Sequence, residues 1–73
     1  MNDNINNTQK NITDITIFRA PGDIYKIRCR INGEFHMGTK ISPDDSKTYL
    51  AVLKSGDKDK LNQLKQELAD KYF

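Results

Sequence analysis

Residues 24–41 constrain this chain more than any other stretch, because side chains of alternating character flank an Asn32-Gly33 pair. From 25 to 31 the odd positions carry Tyr25, Ile27, Cys29 and Ile31, and the even ones Lys26, Arg28 and Arg30. From 35 to 41 the odd positions carry Phe35, Met37, Thr39 and Ile41, and the even ones His36, Gly38 and Lys40. Successive side chains of a strand point to opposite faces, so each run has one apolar and one polar face. Asn-Gly between two such runs signals a β-hairpin.

Two registers compete. A two-residue turn at Asn32-Gly33 pairs Ile31 with Glu34, Arg30 with Phe35 and Arg28 with Met37, which mixes charge and core on both faces. A three-residue loop, Ile31-Asn32-Gly33, pairs Cys29 with Phe35, Ile27 with Met37 and Tyr25 with Thr39, and sets Arg30 against Glu34 and Arg28 against His36. Burying several side chains at roughly 1.5–3 kcal/mol each outweighs a turn preference, which favours the three-residue loop. That register predicts an apolar face and an opposite face carrying Lys26, Arg28, Arg30, His36 and Lys40, countered by Glu34.

A chain of 73 residues makes one domain. It buries about 60% of its unfolded surface, so stability is modest and there is little room for a deep cleft. A net charge of +2 does not by itself imply nucleic acid; its placement matters more. The single cysteine, Cys29, rules out an internal disulfide and reads as a buried, inert thiol. The polar start and a longest apolar run of 49–53 give neither a signal peptide nor a membrane span, so a cytoplasmic setting is expected.

Residues 1–11 are polar and Asn-rich and read as a disordered tail, leaving 12–73 as the folded domain. The β-branched run 12–19 predicts a strand with Ile15 and Ile17 on one face and Phe18 on the other. Ala20-Pro21-Gly22-Asp23 reads as a type II turn returning the chain beside 24–31, which gives a three-stranded meander. Ser42-Pro43-Asp44-Asp45 starts a helix: Ser42 caps, Pro43 suits the first position, and both acids favour the positive helix end. It runs to Ser55 and stops at Gly56, with Tyr49, Leu50 and Leu53 as its apolar stripe and Val52 at the margin. A fourth strand over 48–54 is the rival reading. Asp57 caps a second helix over 58–72, with Leu61, Leu64, Leu68 and Tyr72 along one side. The fold class is α+β: a three-stranded antiparallel meander with two C-terminal helices on its apolar face.

No catalytic motif is spelled. The parity of the preferred register separates Cys29 from His36, so they form neither a thiolate–imidazole pair nor a shared metal site, and no zinc-ligand cluster, phosphate loop or nucleophile elbow is present. Asp44 and Asp45 read as helix-capping acids rather than an acid–base pair. No cofactor, small-molecule substrate or membrane partner is expected.

The basic face has two readings. Either it is solvated surface, or it contacts phosphates, with Arg28 and Arg30 reaching guanine edges while Lys26 and Lys40 hold the backbone of duplex DNA. The preferred register leaves that face without aromatic residues, which argues against stacking of single strands. The Tyr25-Lys26-Ile27-Arg28 strand, the Asn32-Gly33 turn and the lead from Lys40 to Asp45 into a helix resemble the arm-type, AP2-like DNA-binding domain of tyrosine integrases. The resemblance covers about 12–55 and implies base-reading residues at Lys26, Arg28, Arg30 and His36. The departures from that pattern are a first strand whose one base is Arg19, an added second helix and no catalytic recombinase domain after it; a stand-alone copy is expected to be an accessory or regulatory factor rather than a recombinase. The alternative is a protein-binding regulator or inhibitor, or self-association, with the seam Leu61, Leu64, Leu68 and Tyr72, or a sheet edge, as the interface.

Overall fold

The computed structural model describes residues 11–73. Three strands, β1 (Ile12–Ala20), β2 (Ile24–Ile31) and β3 (Glu34–Lys40), form one antiparallel sheet in the order β1-β2-β3. Two helices follow, α1 (Pro43–Ser55) and α2 (Lys58–Tyr72). The α+β meander read from the sequence is therefore the fold, and 48–54 is helix rather than a fourth strand. Of the stretch expected to be a disordered tail, residues 1–10 lie outside the described residues. Asn11 is held: its N–H donates to Asn32 Oδ1 at 3.0 Å, and the Asn32 N–H donates to the Asn11 carbonyl at 2.9 Å.

Both turns of the meander rest on left-handed backbone. Gly22 has φ 89° and Asp23 φ 57°, so a three-residue loop joins Ala20 to its partner Ile24. The second left-handed residue lets a turn that opens on Pro21 close a hairpin. Arg19 is ion-paired with Asp23 across this loop. At the other tip Asn32 (φ 53°) and Gly33 (φ 83°) are both left-handed, the requirement of a two-residue type I′ turn.

That turn overrules the expected register. Ile31 pairs with Glu34, Arg30 with Phe35 and Cys29 with His36; beyond a shift between Ile27 and Cys29, Ile27 pairs with Thr39 and Lys26 with Lys40. Two residues of β3, Met37 and Gly38, thus oppose one of β2, Arg28, in a bulge. The bulge reverses the parity of β3, so the strand keeps its tight turn and still delivers Ile41 to the core, where it is fully buried. A second bulge sets Asp14 and Ile15 of β1 opposite Cys29. It brings Ile12, Ile15 and Ile17 to the helix side although 12 and 17 differ in parity. The expected register assumed that burial would reward Phe35 and Met37. It does not, because α2 lies along β1 and β2 and α1 reaches β2, which leaves β3 largely uncovered. Phe35 is 53% and Met37 78% exposed.

The core joins Ile17, Ile27, Ile41, Tyr49, Leu68 and Ala69. Leu61, Leu64 and Tyr72 pack against it, so the leucine stripe of α2 faces the chain's own sheet. On α1 the expected stripe needs correction. Tyr49 is buried, its ring 6.2 Å from that of Tyr25, but Leu50 and Leu53 are exposed. The inward line is Asp45, Tyr49 and Val52, because α1 meets the sheet along one narrow line and turns that side toward α2.

Caps define both helices. Ser42 Oγ accepts from Asp45 N–H at 3.1 Å, Asp57 Oδ1 accepts from Lys60 N–H at 3.0 Å, and Gly56 ends α1 at φ 78°. Asp45 also ties the two helices together. Its Oδ2 accepts from Lys71 Nζ at 2.8 Å and from the Tyr72 hydroxyl at 2.6 Å, and that hydroxyl accepts from Ser42 N–H at 2.8 Å. Asp45 is therefore a helix-joining acid. The hydrogen bonds from Lys71 and then Tyr72 hold its carboxyl below the usual carboxylate range. A carboxyl whose pKa is lowered on folding adds stability above its unfolded pKa, about 4, and loses it as pH falls through the folded value. Asp45→Asn is expected to cost about 1–2 kcal/mol in urea unfolding at pH 7, and the difference from the parent chain is expected to shrink steadily below about pH 4.

Candidate nucleic-acid interface

The two bulges decide what the open face of the sheet carries. Thr16 pairs with Arg28, Phe18 and Lys40 flank Lys26, and Phe35 pairs with Arg30. Directly paired residues share a face, so Phe18, Lys26, Arg28, Arg30, Phe35 and Lys40 all lie on the side away from the helices. Four of the five basic-face residues expected from the sequence are thus brought together: Lys26, Arg28, Arg30 and Lys40.

His36 is the exception. It lies opposite Cys29 on the helix side, half-buried, with its ring edge-on to Phe73 at 6.1 Å. The bulge lies beyond His36 from the turn, so the tight-turn parity applies to this residue and turns it inward. The same shift corrects the expected separation of Cys29 from His36: they are cross-strand partners, although Cys29 is fully buried. Among the described residues no cluster of three or more His, Cys, Asp or Glu side chains is arranged to hold a metal.

The face is not bare of aromatics, as the expected register required. The Arg28 guanidinium lies between two rings, its Cζ 5.3 Å from the centroid of Phe18 and 5.9 Å from that of Phe35. Each contact contributes about 0.5–1 kcal/mol at an exposed site. Gly38 makes room for this stack: a Cβ there would stand 3.0 Å from Phe18 Cζ and 3.3 Å from Lys26 Cβ. Arg30 meets Asp14, not Glu34; its Nε is 3.5 Å from Asp14 Oδ2. Asp14 occupies left-handed backbone, φ 54°, inside the β1 bulge. At the opposite end of the face, Lys26 and Lys40 are directly opposed. Like charges in that position repel unless an anion lies between them.

Phe18, Phe35 and Asp14 are the members of this surface that the sequence reading missed. Phe18 had a usable signal, since its parity on the first strand already set it apart from Ile15 and Ile17. The protein-interface residues expected on α2 divide differently: Leu68 is buried, and Leu61, Leu64 and Tyr72 are partly buried against the core.

Comparison of the chain with protein-family models, with curated proteins and with solved structures gives no match. Among the described residues no helix is long and apolar enough to cross a membrane.

Proposed function

We propose that this protein is a small non-enzymatic accessory module that binds nucleic acid through the open face of its sheet. The observation that carries this reading is the opposed pair Lys26–Lys40, continued by Arg28 and Arg30, on the side of the sheet that the helices leave uncovered. Cationic side chains gathered on one open face neutralise phosphates and release condensed counterions, an effect that does not depend on base sequence. A weakly charged protein binds this way when its charge is concentrated, and here the concentration arises from strand parity. A cytoplasmic setting belongs to the same reading, since a chain with a single cysteine forms no internal disulfide and suits a reducing compartment.

The integrase-arm likeness makes duplex DNA one ligand of this reading. Guanine readout by Arg28 and Arg30 would require both to leave present partners, the two phenyl rings and Asp14. The second reading, a protein-binding regulator, draws support from Leu50 and Leu53, both exposed on α1, of which Leu53 shares a hollow with Val52 and Leu61.

Titration of labelled duplex and single-stranded oligonucleotides at several salt concentrations tests the leading reading. Three or four phosphate contacts give a slope of about −2 to −4 for log K against log salt. Absence of binding to either form at low salt, or binding indifferent to salt, would remove it.

A further inference from the structure

We infer that the nucleic acid taken by this face is unpaired, and that Phe35 is the platform on which one of its bases stacks. The inference rests on the nucleic-acid reading above and specifies its ligand. Three features carry it. Phe35 is more than half exposed although it lies within a strand, paired with Arg30. Arg28 already covers one region of that ring, and the ring remains available to a flat π-system. Both arginines already have partners on the face, Arg28 the two phenyl rings and Arg30 the Asp14 carboxylate, so neither is a free fork for base edges in a groove.

The spacing fits a strand laid along the hairpin. Lys26 and Arg30 are four residues apart on β2, about 13 Å at the usual rise. Lys40 lies beside the first and Phe35 beside the second. Phosphates held by Lys26 and Lys40 therefore leave the next nucleotides directed toward Phe35, with the exposed side chain of Met37 between. Stacking on an aromatic ring needs a base whose face is open, which duplex interiors do not offer, whereas every unpaired base does. Binding of this kind tolerates many sequences and depends strongly on salt.

The test compares oligodeoxythymidylate and oligouridylate of about a dozen nucleotides with a duplex of equal length, against the parent chain, Phe35→Ala and Phe35→Trp. The exposed position makes both variants compatible with the fold, and circular dichroism checks this. The parent chain is expected to prefer the single strands. Phe35→Ala is expected to weaken their binding by about 5- to 100-fold and to leave duplex binding nearly unchanged. The chain has no tryptophan, so Phe35→Trp supplies a single indole, excited selectively over the tyrosines, that a stacked base quenches. Preference for the ribo- or the deoxy-strand tells which source the face suits, and either supports the inference. Duplex binding that equals or exceeds single-strand binding and is unaffected by Phe35→Ala would overturn the stacking inference while leaving nucleic-acid binding intact. Loss of binding to every probe would overturn both.

Discussion

Ile27→Ala is expected to remove about 2–5 kcal/mol of stability, the range for truncating a buried isoleucine where the surroundings cannot collapse. Ile27 has no exposed surface. It lies on the central strand, paired with Ile17 on one side and Thr39 on the other, and belongs to the cluster that holds Leu68 and Ala69 of α2 against the sheet. A domain of this length has a total stability of about 4–11 kcal/mol, so the loss is a large share of the whole. Urea unfolding followed by far-ultraviolet circular dichroism should show a midpoint shifted far down, with partial unfolding in water if the total lies at the low end. Leu53→Ala is the informative control. The sequence places Leu53 in the apolar stripe of α1, but it is nearly half exposed, so its removal should change stability by no more than about 0.5 kcal/mol. Equal costs for the two variants would mean that α1 is seated differently.

The second large effect concerns binding. Lys26→Glu/Lys40→Glu is expected to weaken nucleic-acid binding by tenfold or more, roughly, and to lower the salt slope by about one to two, as each lysine lost removes one phosphate contact. The substitution should not harm the fold. The two lysines face each other across β2 and β3 on the open side, so replacing one like-charged pair by another leaves their mutual repulsion similar. A single Lys26→Glu change separates the effects further: it converts the pair into an attractive one and is expected to hold or slightly raise stability while still weakening binding. Fluorescence anisotropy at two salt concentrations, beside thermal melts of the same samples, reads both quantities.

Much of this fold is written locally. Ser42-Pro43-Asp44-Asp45, Gly56 and Asp57 mark helix boundaries through caps that each depend on a few neighbouring residues, and α1 begins and ends, and α2 begins, where those signals stand. The Asn32-Gly33 pair was equally local and equally sound, since both residues adopt the left-handed conformation a two-residue turn needs. Burial does not set the register of β3, because the helices leave that strand largely uncovered. Which strand a helix covers is a tertiary fact, and the exposed Phe35 and Met37 show that the reward was absent at this edge. The bulge at Met37-Gly38 then let one strand satisfy the turn at its start and the core at its end, a solution that strict alternation does not contain.

The site was legible to the same extent. Lys26, Arg28, Arg30 and Lys40 share the face that their parity assigns, because β2 is central and both neighbours pair with it. His36 and Phe35 exchange faces because they lie on the turn side of the bulge. Phe18 required the pairing of β1 with β2 to bring its ring to Arg28, a contact between residues ten apart in sequence whose rings and charge meet across neighbouring strands.

The most direct test of the central claim is amide chemical-shift mapping by NMR as a single-stranded oligonucleotide is added at low salt. Perturbations are expected to concentrate on Lys26, Arg28, Arg30, Phe35, Gly38 and Lys40 and to fade as salt is raised. Shifts confined to Val52, Leu53 and Leu61 around the hollow between α1 and α2, or no shifts at all, would overturn the assignment.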